Sequence, residues 1–411
     1  MQDNPGLIPD LFKTEYSKIV AVLCNHYGYS FLQEAQDIAS DTFLKAAQTW
    51  GSKKIPKNPT AWLYTVAKNR ALDNYRRKKV FNEKVKPEVT EKEPLEVELD
   101  YSTENIDDSQ LKMMFWLANE SLKPEAQIGL ALRILCGFGI DEIASAFLTN
   151  KETINKRLQR AKRKLKEAES DFNLTTKEIK QGQPSVLNMI YLLFNEGYYT
   201  TNKNKKVKSD LCYEALRLAL LVAHHPLTGD SKSKALVALI CFHSSRLDAR
   251  EQEDETDIIL FQDQDKSKWN KKLIEKGNAY MNLSASGRQA SRFHLEAMIA
   301  YWHTQEDSDL KWQNILFGYN LLLQQAYSPM AALNRTYALS QVYGAEKALE
   351  EALKIELKNN HLYHVMIGTL YKEVDVQKAL DHFLIAHKLT NTNSEQKVIE
   401  RHINELGLSN G

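Results

Sequence analysis

Cysteine is nearly absent from this 411-residue chain. Its four cysteines, Cys24, Cys136, Cys212 and Cys241, lie far apart with no CxxC pair or Cys/His cluster, which leaves a disulfide framework or a zinc site with little support; a reducing compartment is expected. Glycine and proline are also sparse, at 16 and 10 residues, so the chain lacks the dense turn punctuation of a β-rich fold. No apolar run approaches the 18 residues of a membrane span. The start, MQDNPGLIPDLFK, has neither the basic nor the apolar region of a secretory signal, so a cytoplasmic protein is expected. P-loop, GxGxxG, GxSxG and HExxH patterns are missing, and the histidines show no ligand spacing. The expectation is a non-enzyme with no cofactor or metal and no membrane partner.

What is present is helical. Apolar residues make up 43% of the chain and recur at helical spacing almost throughout, so the fold class is all-α. The net charge of +1 is a cancellation of unlike parts. Residues 1–81 hold 12 basic and 7 acidic side chains, 82–110 hold 3 and 10, 111–181 hold 13 and 9, and 182–411 hold 26 and 27. Two basic modules therefore flank an acidic strip and precede a large neutral part. The strip has few large apolar residues and reads as a flexible linker. A second joint is expected at 175–185, where Gly182 and Pro184 interrupt the pattern. The expected domains are 1–81, 111–173 and 182–411.

The most concentrated charge lies in TNKETINKRLQRAKRKLKEAE (149–169), with eight Lys or Arg between 151 and 166 against Glu152 alone. Thr149 with Glu152 forms a capping-box pattern. Ile154, Leu158, Ala161, Leu165 and Ala168 form one apolar stripe, opposite a polar face. A short amphipathic helix, GIDEIASAFL, precedes it, with Asp141 as its expected N-cap. Short helix, tight turn and capped basic helix make a helix-turn-helix, whose second helix enters the DNA major groove. Asn155, Gln159 and Arg160 suit base edges, and the neighbouring cations suit phosphates.

Upstream, EAQDIASDTFLKAAQTW (34–50) turns Ala35, Ile38, Ala39, Thr42, Phe43 and Ala46 inward. Asp37, Asp41, Leu44 and Gln48 form a second stripe, and an exposed leucine beside two acids suits docking on another helix pair. In the following GSKKIPKNPTAWLYTVAKNRALDNYRRKK (51–79), Asn58 caps a helix with Pro59 at its first position. Thr65, Lys68, Asn69 and Arg76 share an outer face. Trp62 suits either core packing or base stacking, and Asp73 suits an internal partner for Arg70 or Arg77.

These segments resemble the extracytoplasmic-function (ECF) sigma factors, promoter-specificity subunits of RNA polymerase. GIDEIASAFLTNKETINKRLQRAKRKL resembles sigma region 4; 34–50 resembles region 2.2, and 51–79 resembles regions 2.3 and 2.4. The resemblance implies that core RNA polymerase, through its β′ clamp and β flap, and promoter DNA are the partners. It assigns core docking to Asp37, Asp41, Leu44 and Gln48. Capture of the −10 element falls to Lys57, Asn58, Trp62, Thr65, Lys68, Asn69, Arg76 and Arg77. Reading of the −35 element falls to Lys151, Glu152, Thr153, Asn155, Lys156, Gln159, Arg160 and Arg163. The elements lie several helical turns apart, which a tethered pair of modules can span. The acidic tether suits either the polymerase's RNA-exit path or a solvated spacer.

The remaining residues extend well past region 4 and resemble one ECF subgroup with a tetratricopeptide-like (TPR-like) helical extension. YHVMIGTLYKEVDVQKALDHFLIAHKLTN (363–391) comes within one residue of a single such unit. Polar residues inside apolar runs, namely Asn195, Glu196, Arg217, Arg246, Asp263 and Asp265, suggest either an internal network or a site for a regulatory protein or ligand. The alternative to a sigma factor is a stand-alone helix-turn-helix regulator with a protein-binding helical domain, for which the acid-and-leucine stripe would have no use.

Overall fold

A computed structural model describes residues 7–50, 55–85, 99–167, 175–199, 205–250, 264–286, 289–390 and 393–408. The described residues are helical, with eighteen α-helices, short 3₁₀ turns and no strand among them. The chain divides into two compact units, Met1–Thr228 and Gly229–Gly411.

In the first unit, α1 (Leu7–Tyr27) ends at Gly28, whose φ of 84° reverses the chain where a side chain would be strained. Helices α2 (Leu32–Trp50) and α3 (Pro59–Val85) complete a three-helix group, with Ile19, Leu23, Ala35, Phe43, Leu63 and Ala67 in its core. Asn58 starts α3 as expected, its side-chain carbonyl accepting the Ala61 N–H at 3.0 Å. Helix α4 (Thr103–Leu117) follows, capped by Ser102, which accepts the Asn105 N–H. Then come α5 (Pro124–Ile134), α6 (Ile140–Ala146) and α7 (Lys151–Glu167), the last burying Ile154, Leu158, Ala161 and Leu165 as its spacing requires. Helices α8 (Thr176–Tyr199) and α9 (Lys205–His224) pack as a pair and close this unit.

Three expectations about boundaries are corrected. The acidic linker expected to run to 110 gives way to helix at Thr103, because Ser102 supplies a cap and Ile106, Leu111 and Met114 supply a buried face; residues 86–98 lie outside the described ones. The joint expected at 175–185 is the interior of α8, with Pro184 inside it. Gly182 is a packing residue there, since a Cβ on it would stand 2.9 Å from Phe115 Cδ1. The compact units accordingly divide at 228/229, where a separate domain had been expected from 182.

The second unit contains α10 (Ser231–Ser244), α11 (Lys271–Ser284), α12 (Arg292–Thr304), α13 (Asp309–Gln325), α14 (Pro329–Tyr343), α15 (Ala345–Ala352), α16 (His361–Tyr371), α17 (Val376–Leu389) and α18 (Asn393–Leu408). Successive helices pack as neighbours. Side-chain caps from Asp230, Asn270, Ser308, Ser328, Asn360 and Asp375 start six of them. The α16–α17 hairpin has the close crossing its sequence implies: a Cβ on Gly368 would lie 3.1 Å from the buried Phe383 ring.

Candidate nucleic-acid interface

The turn between α6 and α7 is built differently from its sequence pattern. The Thr149 N–H bonds to Ala144 O and the Leu148 N–H to Ser145 O, closing α6 with a left-handed residue, Leu148, at φ 48°. With the Thr149 amide used there, Asn150 becomes the cap of α7, accepting the Thr153 N–H at 2.8 Å. Glu152 turns to Lys156 at 2.6 Å and does not reach back to complete a box with Thr149. Asp141 likewise does not cap α6. Gly139 starts that helix, its N–H bonded by the Glu142 carboxylate at 2.7 Å, and Asp141 pairs with Lys151 at 2.6 Å.

The outer face of α7 is as expected. Lys151, Glu152, Thr153, Asn155, Lys156, Gln159, Arg160 and Arg163 are all exposed. Lys151, Lys156 and Arg163 have carboxylates near them, the last at 3.8 Å from Glu167. Among the described residues, Asn155, Gln159 and Arg160 make no internal hydrogen bond or ion pair, so their donors and acceptors are directed to solvent or a ligand. Lys162, one of the eight cations, turns inward, and its Nζ donates to Gln36 Oε1 at 2.6 Å. Burial holds its ammonium pKa below the ordinary lysine range.

On α2, the second stripe stands clear of the core. Asp37, Asp41, Leu44 and Gln48 are exposed, Leu44 by 56%, while Ile38, Thr42 and Ala46 between them are buried. Asp41 accepts from Arg70 Nη1 at 2.5 Å. The expected partner of Arg70, Asp73, is therefore replaced by a residue of the stripe itself. Asp41, Lys45, Arg70, Asp73, Asn74 and Arg77 line a polar cavity of about 680 Å³ between α2 and α3.

The −10 set divides. Lys57 and Asn58 are exposed just ahead of α3, with Asn58 committed to its cap. Thr65, Asn69 and Arg76 share the outer face of α3, Thr65 hydrogen-bonded to Ala61 O at 2.8 Å and Lys68 half-buried. Arg77 is set around the helix, on the cavity side with Arg70 and Asn74. Trp62 is half-buried edge-on to Trp50, ring centroids 5.3 Å apart, so it packs and does not stand free as a stacking platform.

The polar set of the extension is divided between the two units. Arg217, half-buried in the first unit, donates to Glu214 at 2.9 Å, to Leu135 O at 2.8 Å and to Gln110 at 3.5 Å. Asn195 and Glu196 are half-buried on α8, and desolvation raises the Glu196 carboxyl pKa. Arg246 and Asp265 belong to the second unit. Arg246 is buried with its Nη2 3.1 Å from His243 Nδ1, whereas Asp265 is exposed and takes the Ser267 N–H and hydroxyl. Asp263 lies outside the described residues. No cluster of metal-ligating side chains occurs among the described residues, and none of their helices is long and apolar enough to cross a membrane.

Comparison with known proteins matches these elements in order. Residues 11–80 match sigma-70 region 2, 112–165 match sigma-70 region 4, and 183–285 match a family of unknown function, DUF6596. The uncharacterized protein R00370 of Rhizobium meliloti (strain 1021) is 30% identical over 84% of this chain and 82% of its own length. The RNA polymerase sigma factor YlaC of Bacillus subtilis (strain 168) is 29% identical over 39% of this chain and 90% of its own. No solved structure matches. With both sigma regions in sequence and a near full-length relative in R00370, the chain belongs to one family with that protein and is a sigma-70 family factor, a DNA-binding helix-turn-helix protein of transcription initiation.

Proposed function

We propose that the protein is an ECF-type sigma factor that docks on core RNA polymerase and directs it to a two-element promoter. In this reading Asp37, Asp41, Leu44 and Gln48 meet the polymerase clamp, and the region 4 module meets the flap. The outer face of α3 with the loop before it holds the −10 element, and the exposed face of α7 reads the −35 element. The carrying observation is the α2 stripe. A leucine more than half exposed beside two carboxylates, on a helix whose other large apolar residues are buried, has no use inside this fold. Asn155, Gln159 and Arg160, turned outward on α7, supply hydrogen-bonding groups for base edges. The helices from α10 onward, including TPR-like hairpins such as α16–α17, modulate the factor as a scaffold for a regulatory protein or ligand.

The test is reconstituted transcription with core polymerase. Leu44→Asp should abolish co-purification with core and start-site selection, and shift the melting temperature little, because a side chain this exposed contributes little to the fold. Retained transcription by this variant would refute the docking assignment.

A further inference from the structure

The last three helices are tied to one another through histidines. Five of the eleven histidines in the chain, His361, His364, His382, His387 and His402, fall within residues 361–402. His364 Nδ1 of α16 lies 3.0 Å from His382 Nδ1 of α17. His361 Nε2 of α16 lies 3.2 Å from Glu395 of α18, and His387 Nε2 of α17 lies 2.9 Å from Glu400 of α18. His402 Nδ1 of α18 lies 2.9 Å from the Nζ of Lys372, the residue that ends α16.

The contacts to α18 are of two kinds. His361 and His387 face carboxylates, so a proton taken up by either ring adds a charge-assisted bond. His402 faces a cation. An ammonium only donates, so His402 Nδ1 offers Lys372 its lone pair, and the ring is neutral with its proton on Nε2. A proton on Nδ1 would set N–H against N–H and bring two positive charges together. Glu405, the carboxylate beside both, is bonded to Lys372 at 2.9 Å and stands 3.5 Å from His402 Nδ1. Burial, and then the Lys372 charge with a smaller share from Arg401, hold the His402 imidazole below the ordinary histidine range against the pull of Glu405. From α17 the ring meets Phe383, stacked at a centroid distance of 5.0 Å.

We propose that the C-terminal half of α18 is a proton-sensitive cover on the α16–α17 hairpin, seated while His402 is neutral and released when His402 takes a proton. The device lies wholly within the second unit and does not depend on how the factor docks.

Position confines the release to one end. The pairs at Glu395 and Glu400 hold the first half of α18 and strengthen in acid. Beyond Glu400 the helix is held by His402, by the Lys372–Glu405 pair, and by Ile403 and Leu406 in the small core around Phe383. Phe383 is fully buried, and its ring carries both His402 and the Lys372 ammonium, 5.5 Å from the centroid. A charge on His402 therefore disturbs every polar contact of that half at once. The contribution of the neutral ring is present above the ordinary value of 6.5 and is lost as pH falls below it towards the lower folded value.

Hydrogen exchange by mass spectrometry on the full chain, expressed as protection relative to the intrinsic rate at each pH, tests the cover. Between pH 7.5 and pH 5.5, peptides covering 401–408 should lose at least threefold more protection in the wild type than in His402→Asn. The asparagine Oδ1 keeps an acceptor for Lys372 but does not titrate, and the paired comparison cancels acid weakening elsewhere in the unit. Peptides covering 393–400 should change alike in the two proteins. In Lys372→Met the cation is gone and Glu405 is free for the protonated ring, so the extra loss should disappear. Equal losses in the wild type and His402→Asn, a full wild-type loss in Lys372→Met, or an extra loss spread evenly along α18 would each overturn the cover.

Discussion

The α6–α7 turn allows a prediction in which two neighbouring substitutions act in opposite directions. Leu148 occupies the left-handed region at φ 48°, which costs a non-glycine residue about 1–2 kcal/mol. Its side chain is 64% exposed, so removal forfeits little burial. Leu148→Gly relieves the strain but adds about 0.4–1 kcal/mol of unfolded-chain entropy, for a net gain near 0.7 kcal/mol. Two residues on, Asn150→Ala removes the acceptor of the Thr153 N–H and costs about 1 kcal/mol. The assay is hydrogen exchange by mass spectrometry on the full chain, following peptides that cover α7. Protection should rise about threefold in Leu148→Gly and fall about fivefold in Asn150→Ala, from RT ln of those factors. Reduced protection in Leu148→Gly, or none lost in Asn150→Ala, would refute the account of the turn.

Two further predictions concern the second unit. Burial, with the Arg246 and Lys311 charges nearby, pushes the His303 imidazole pKa down to about 3, and His243 is pushed the same way. A depressed histidine gives stability that is present above the unfolded value near 6.5 and is lost as pH falls below it towards the folded value. His303 alone should therefore cost about 2 kcal/mol by pH 5; equal melting temperatures at pH 7.5 and pH 5 would contradict this. Lys311 is fully buried, its Nζ bonded to Asp307 at 2.9 Å and to Gln305 O at 3.1 Å. Lys311→Ala should cost about 3 kcal/mol and Lys311→Met clearly less, because methionine keeps the packing while Asp307 stays solvated; equal losses on denaturant titration would show that the charge, not the volume, dominates.

What the sequence disclosed was decided by periodicity. The α2 stripe is visible because Asp37, Asp41, Leu44 and Gln48 fall on one helical face, and the α7 stripe for the same reason. What it concealed depended on contacts distant in sequence. Thr149 matches a cap pattern, but its amide is taken by Ala144, and only the backbone path through Leu148 shows that Asn150 must serve instead. Lys162 reads as one more surface cation until Gln36 is brought to it from 126 residues away. Gly182 and Pro184 read as breaks, since both punctuate helices in isolation. The helix continues through them because the glycine is the space Phe115 requires, and packing of α8 on α4, α5 and α9 outweighs the local penalty.

The position of the division at 228/229 changes what a truncation can reveal. The match to the family of unknown function runs from 183 to 285 and so spans both compact units, its first part built into the body that carries the sigma regions. Cutting before α8 would strip the cover from Phe115 and remove Arg217 from Leu135 O and Gln110. Lost activity in such a fragment would reflect damaged region 4 packing as much as lost regulation. A chain ending at Thr228 keeps every one of these contacts and removes the second unit whole. Only against that fragment can a change in promoter output be attributed to the helices from α10 onward, because the packing of α8 and α9 on region 4 is still in place.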